Sequence, residues 1–169
     1  LNVRFVPKWN WATVDLTETG QYSLSDKTRA VLGKVEGEVL VFTVDYGAAR
    51  RTRSGIFSRV QELLRQYQSA CPRMTLRAMD ALRAEDDLRK AFLDAGMESL
   101  IDGLTGEEDV VVIGFRPAGE KLVVRTRVVP VNQEFADTSA LGSERFSGEG
   151  ILTNALNEVV FAQRRVAFL

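Results

Sequence analysis

The sequence contains no histidine and a single cysteine, Cys71, among its 169 residues. Without histidine the chain cannot build a Ser-His-Asp or Cys-His catalytic centre, and a zinc or iron site would be without its commonest nitrogen ligand. A lone thiol cannot form an internal disulfide, so cysteine usage leaves the cellular compartment open. Any catalysis would have to use carboxylates, lysine or Cys71.

Excess charge and long apolar runs are also missing. The chain has 22 basic and 23 acidic residues, so its overall charge does not favour nucleic acid or an anionic membrane as a partner. The apolar run from Val110 to Gly114 is far shorter than the roughly 20 residues of a membrane-spanning helix. Because the chain begins at Leu1 and ends in an apolar run at Leu169, we expect an excised fragment or a processed chain, with whatever anchored it removed.

The hydrophobic pattern that is present predicts alternating strands and helices. Val39 to Val44 is apolar on both faces, which is typical of a strand covered on both sides, and Ile56 to Tyr67 has helical spacing. The predicted order begins with a short helix at 26–34 capped by Ser25, a strand at 38–46, a helix at 56–70 closed by Pro72 and a strand at 73–80. A helix at 88–95 ended by Gly96 follows, and then two strands joined by a turn at 116–119, the second with Arg125 and Arg127 on a face exposed to solvent. A long polar loop at 130–147 leads to a helix after Ser147 and a final strand.

This order predicts an α/β fold with a thioredoxin-like βαβαββα sheet and helices on both faces, in which the first strand lies centrally. We expect three parts in the chain. Residues 1–35 form an N-terminal extension with a short helix packed on the body, residues 36–163 form the thioredoxin-like domain, and residues 164–169 form the final strand, which begins a truncated following region.

The redox chemistry of thioredoxin-like proteins is not predicted. It uses Cys-x-x-Cys at the start of the helix after the first strand, and RRTRSG occupies that place here, at 50–55. Cys71 follows that helix instead, and we interpret it as a small structural residue, with a degenerate thiol enzyme as the alternative.

Charged and aromatic residues offer several candidate interaction sites. Arg50, Arg51 and Arg53 could hold a phosphate or sulfate at a helix N-terminus, or form a solvated basic loop. Trp9 and Trp11 could stack on a sugar, lie at a lipid interface or pack on the domain.

Two acidic clusters and one turn are interpreted as structural. The acidic clusters at 85–87 and 107–109 are explained by capping and solubility rather than by acid-base chemistry or calcium. The turn SGEG at 147–150 is explained by helix capping. No residue is predicted to be catalytic, and no cofactor or metal is predicted.

Four pieces of the sequence together resemble a known family. They are DLTETGQYSLSDKTRAVL at 15–32, VFTVDY at 41–46, RVQELLRQYQSACPRMTLRAMD at 59–80 and GEGILTNALNEVVFAQRRVAFL at 148–169. In this order they resemble the extracytoplasmic domain of the gliding-motility-type ABC transporter auxiliary proteins. The chain departs from that pattern at Ala81, where the family often has proline, and it stops at Leu169, before a second α/β region.

The resemblance implies a non-catalytic, periplasmic domain of a membrane-anchored auxiliary component. It implies the ABC permease and ATPase subunits as partners, and a cell-surface glycan or peptide is a further possible ligand. It also implies that the N-terminal signature is structural, packing the start of the domain and capping the first helix. The signature residues are Asp15, Leu16, Thr17, Tyr22, Ser23, Leu24, Ser25 and Thr28. A free-standing glycan- or peptide-binding module is the alternative of a different class.

Overall fold

A computed structural model of the chain describes residues 23–48, 55–104, 106–135 and 148–161. Its elements, in chain order, are α1 (Asp26–Gly33), β1 (Gly37–Asp45), α2 (Ile56–Ala70), β2 (Met74–Asp80), α3 (Glu85–Ala95), a 3-10 helix (Glu98–Gly103), β3 (Val110–Pro117), β4 (Arg125–Pro130), α4 (Val131–Phe135) and α5 (Gly148–Phe161). The predicted N-terminal extension before Ser23 and the predicted final strand lie outside the described residues.

Within the described ranges the strands form one sheet in the order β2-β1-β3-β4. β1 pairs with β2 in parallel and with β3 antiparallel, and β3 pairs antiparallel with β4. The predicted α/β class and the thioredoxin-like βαβαββα order are therefore confirmed. The central place predicted for the first strand is confirmed too, because β1 lies between β2 and β3, and it is buried on both faces from Val39 to Val44.

Helices cover both faces of the sheet, and each face has its own hydrophobic core. On one face Val39 and Val41 pack with apolar residues of α1, α2, α4 and α5. On the other face Leu40 and Phe42 pack with α3 and the 3-10 helix, and the rings of Phe42 and Phe92 meet edge to face with centroids 5.1 Å apart. The two-period alternation of β1 thus divides its side chains between two apolar layers.

The second arm of the predicted hairpin is shorter than the sequence suggests. β4 begins at Arg125, because the amide of Val123 donates a hydrogen bond to the carbonyl of Ala95 and Leu122 packs against Gly96. The predicted wet face is also wrong at Arg125, whose guanidinium lies over the Phe115 ring at 5.3 Å and donates to the Val160 carbonyl at 2.9 Å.

The predicted loop from Pro130 to Ser147 is wrong over its first residues. Val131 to Phe135 form α4, and both end residues are buried. The apolar pair at 131 and 135 has helical i, i+4 spacing, but it lies in a polar stretch that masks the pattern. The rest of that predicted loop, residues 136–147, lies outside the described residues.

Candidate functional site

The described end of the N-terminal signature begins the first helix. Ser25 is the N-cap of α1, and its Oγ accepts a hydrogen bond from the Thr28 amide at 3.2 Å, so the predicted cap is confirmed. Leu24 is buried, whereas Ser23 is exposed. The other signature residues, Asp15, Leu16, Thr17 and Tyr22, lie outside the described residues.

Glu149 completes the cap of α1 from a distant part of the chain. Its Oε1 accepts from the Ser25 amide at 2.8 Å and from the Ser25 hydroxyl at 2.7 Å, across a separation of 124 residues. In a capping box this acceptor is a Glu or Gln three residues after the cap in the same helix. Thr28 occupies that place here, and the first turn of α5 supplies the carboxylate instead.

Three hydroxyl groups below this cap form a buried chain of hydrogen bonds. The Thr28 and Thr153 hydroxyl oxygens lie 2.9 Å apart, and the Tyr67 hydroxyl lies 2.6 Å from Thr153 Oγ1 and donates to the Glu149 carbonyl at 3.0 Å. The chain joins α1, α2 and α5.

The ionisation of this network favours a structural role. Burial raises the pKa of Tyr67 to about 12, although the hydrogen bonds with Thr153 and Thr28 act in the opposite direction. At Glu149 burial acts to raise the pKa, but the nearby Thr28 and Ser25 hydroxyls, the Ser25 amide and the Arg29 charge together lower it. Near neutral pH the network therefore holds a neutral phenol and an ionised carboxylate.

Cys71 lies in the hydrophobic core beside this network, with only 2% of its surface exposed. It caps the C-terminus of α2, where its amide donates to the Tyr67 carbonyl at 2.9 Å. Its burial and this hydrogen bond favour the interpretation of Cys71 as a structural residue.

All five predicted interaction residues lie outside the described residues. They are Trp9, Trp11, Arg50, Arg51 and Arg53. Their proposed contacts with sugars, lipids or phosphate stay predictions.

The carboxyl end of β1 is the second place where polar side chains gather. Asp45 and Asp80 are partners in the register of β1 and β2, and both bind backbone amides that follow their strands. Asp45 Oδ1 accepts from the Gly47 amide at 2.6 Å. Asp80 Oδ1 accepts from the amides of Leu82 and Arg83 at 3.1 and 3.2 Å. The two carboxylates thus shape the turns leaving the sheet.

Asp109, directly before β3, is a third carboxylate at this edge of the sheet. The interpretation of its acidic cluster at 107–109 as a capping and solubility feature is wrong for this residue, because Asp109 is fully buried, with 0% of its surface exposed. Its Oδ1 accepts from the amides of Tyr46 and Ala48 at 2.8 and 3.1 Å. The available signal was its position directly before the apolar run VVVI, where a carboxylate lies at the same edge as the carboxyl end of β1.

A cleft of about 400 Å³ opens beside this edge. Tyr46, Ala81 and Leu82, which follow β1 and β2, line one part of it, and α3, the 3-10 helix and residues just after that helix line the rest. Its floor is apolar and buried, whereas the charged residues on its rim are exposed. The lining residues are Tyr46, Ala81, Leu82, Glu85, Leu88, Arg89, Phe92, Ile101, Asp102, Leu104 and Gly106.

The electrostatics of the cleft are set by Glu85, Asp102 and Arg89 on its rim. Burial raises the pKa of Tyr46, and the negative charge of Glu85 raises it further. The acidic cluster at 85–87, interpreted as helix capping, therefore also places one carboxylate, Glu85, at the mouth of the cleft.

The cleft has the size of a small binding site, and its lining combines apolar and charged side chains. Within the described ranges no three histidine, cysteine or carboxylate side chains come together in a way that could hold a metal ion. In the same part of the chain, no helix combines the length and the apolar composition needed to cross a bilayer.

No protein-family model, no curated protein and no solved structure matches this chain.

Proposed function

We propose that this chain is a non-catalytic, extracytoplasmic domain of a membrane-anchored auxiliary component of an ABC-type transport system, and that it acts through protein or substrate interaction. The transporter assignment is supported by the four sequence pieces that resemble the gliding-motility-type auxiliary proteins in the same order. The interaction assignment is supported by the cleft beside the carboxyl end of β1.

The position of the cleft is the observation that carries the proposal. In open α/β sheets, ligands commonly bind outside the carboxyl ends of the strands. Tyr46 and Ala81 come directly after β1 and β2, and both line the cleft. The floor between α3 and the 3-10 helix buries Leu88 and Phe92, so an apolar group that entered would lose water-exposed surface.

The described signature residues support a structural role for the signature within this function. Ser25 caps α1, and Thr28 is buried in the hydroxyl chain that joins α1 to α2 and α5. Under the proposal this region holds the start of the domain on its body, while partners bind elsewhere.

The proposed partners are the permease and ATPase subunits of the transporter, with ATP hydrolysis confined to the ATPase. The domain would lie on the periplasmic side, anchored by helices that belong to the same protein but lie outside this chain.

Co-purification from detergent-solubilised membranes tests this proposal. The full-length parent protein is compared with one lacking residues 1–169 and with two point variants, Leu82→Arg and Val124→Arg. Leu82 is 64% exposed on the rim of the cleft, and Val124 is 51% exposed away from it, so neither change should disturb a core. We expect the deletion and Leu82→Arg to lose ABC subunits and Val124→Arg to retain them. Retention of these subunits by the deletion variant would contradict docking through this domain.

A free-standing glycan- or peptide-binding module is the second candidate, and the same cleft favours its peptide form. If the deletion leaves the ABC subunits bound but removes another component, this candidate gains support. Chemical-shift changes confined to Trp9, Trp11 or residues 130–147 at millimolar sugar would favour the glycan form.

A further inference from the structure

We propose that the cleft beside β1 binds a lysine or arginine side chain that a partner protein presents within an apolar segment. This inference rests on the interaction part of the proposed function and adds the chemistry of the partner.

The floor of the cleft suits the long aliphatic part of such a side chain. Phe92 is fully buried beneath it, and Ala81 and Leu88 are nearly so. Leu82 and Ile101 extend the apolar lining towards the rim. Lysine and arginine place their methylene groups on apolar surface while the charged end stays in a polar environment. The shape therefore accommodates the stem of a basic residue and the apolar neighbours that accompany it.

The rim supplies the complementary charge. Glu85 lies on α3 and Asp102 on the 3-10 helix, so two different walls each contribute a carboxylate. Within the described part of the chain neither residue forms an ion pair. A cation bound above the floor would therefore gain two carboxylate partners, and an anion would be repelled by both.

Arg89 is the lining cation among the described residues, and it does not reverse this preference. It is exposed one helical turn after Glu85 on the same helix, and salt screens its charge to the same extent as those of the two exposed carboxylates. With two carboxylates against one guanidinium, the ionised rim has a net negative charge.

Tyr46 provides a further contact for a cation. Its aromatic ring lines the cleft, and a cation over the face of such a ring is attracted by the ring quadrupole. The negative charge of Glu85 acts on the Tyr46 phenol, where it adds to the increase in pKa that burial causes. The negative electrostatic potential of Glu85 on the rim therefore acts on the Tyr46 ring inside the cleft.

A peptide titration of the isotope-labelled 169-residue chain, followed by NMR, tests the inference. The probe is acetyl-Ala-Leu-Arg-Leu-Ala-amide, and the matched probe has glutamine in place of its arginine. We expect saturable shifts of the amides of Tyr46, Leu88 and Ile101 with the arginine probe, weakening as salt is raised. The glutamine probe should bind at least about fivefold more weakly.

Two double variants locate the charge effect. The combination Glu85→Gln and Asp102→Asn removes the rim carboxylates and should weaken binding of the arginine probe by about fivefold. The combination Asp94→Asn and Glu98→Gln changes the net charge equally on the same two elements, at exposed positions outside the cleft. It should leave the affinity unchanged.

Three outcomes would overturn the inference. They are no saturable shift at the cleft up to about 5 mM peptide, equal binding of the two probes, and equal effects of the two double variants. Co-purification of ABC subunits together with any of these results would leave the proposed function standing without this cleft chemistry. Cleft binding without co-purification would support the inference for a peptide-binding module instead.

Discussion

Glu149 shows how far the role of a single residue depends on where its neighbours fold. It lies in the first turn of α5, where the helix dipole alone would favour a carboxylate. In the structure its Oε1 binds the amide and hydroxyl of Ser25, so it caps a second helix far away in the sequence. The neighbouring Tyr67 and Thr153 hydroxyls form a hydrogen bond with each other where α1, α2 and α5 meet. These residues fix the position of α1.

We predict that Glu149→Gln reduces stability at neutral pH and that this difference shrinks in acid. The folded protein lowers the pKa of Glu149 below its ordinary value of 4.5. A lowered pKa means that the ionised group stabilises the fold above the ordinary value, and that this stabilisation is lost as the pH falls through the folded-state value. Urea unfolding of both proteins at about pH 7 and about pH 3 measures the difference.

Glu158→Gln is the matched control on the same helix. The Glu158 side chain is 60% exposed and lies 3.6 Å from Arg127, and exposed ion pairs contribute little to stability. A difference between wild type and Glu149→Gln that is equally large at both pH values would contradict the assigned role of the carboxylate.

At the scale of elements, glycine marks the end of α3 for a specific physical reason. Gly96 has a φ of 75°, in the left-handed region, and the space where a Cβ would lie is 2.8 Å from Leu122 Cδ2. The turn after β3 therefore packs directly on the backbone of this helix end. Gly33 at the end of α1 has open space around it and no left-handed φ.

We expect Gly96→Ala and Gly33→Ala to have opposite effects. Gly96→Ala should lower the free energy of unfolding by about 1 to 2 kcal/mol, because alanine is strained at positive φ and Leu122 must move. Gly33→Ala should raise it by up to about 1 kcal/mol, because alanine favours the helix and restricts the unfolded chain. Denaturant unfolding measures both, and equal destabilisation by the two changes would argue against this explanation.

At the scale of the whole molecule, the sheet separates two cores, and Cys71 lies in the one covered by α1, α2, α4 and α5. Its thiol is buried among side chains of α2, β2 and the neighbouring elements. Reagents should therefore reach the thiol only when a large part of the domain opens.

We predict that iodoacetamide labels Cys71 only through unfolding. The labelling rate should be far below that of a free thiol, and its dependence on urea should match the m-value of global unfolding. Mass spectrometry of the alkylated chain measures the rate, and Cys71→Ser provides the blank. Rapid labelling in native buffer would revive the thiol-enzyme alternative.

The alternation of apolar residues was enough to predict most of the fold. In β1, Val39 and Val41 alternate with Leu40 and Phe42, and a strand that is apolar on both faces must be covered on both sides to remove them from water. The spacing of the apolar residues in α2 and α3 is equally direct, and Ser25 identifies the start of α1 because a hydroxyl there satisfies an otherwise unpaired amide. These signals depend only on residues close together in the chain, so they can be recognised from the sequence.

Only the tertiary structure decided which polar residues form hydrogen bonds with distant parts of the chain. Nothing in the sequence pairs Ser25 with Glu149, or Asp109 with the amides of Tyr46 and Ala48, because hydrogen bonds over such separations depend on how the strands and helices pack. The cleft has the same origin, since residues after β1 and β2 meet α3 and the 3-10 helix only in the folded sheet. Local sequence determined the elements through periodicity and capping, whereas the site depends on side chains brought together by long-range contacts.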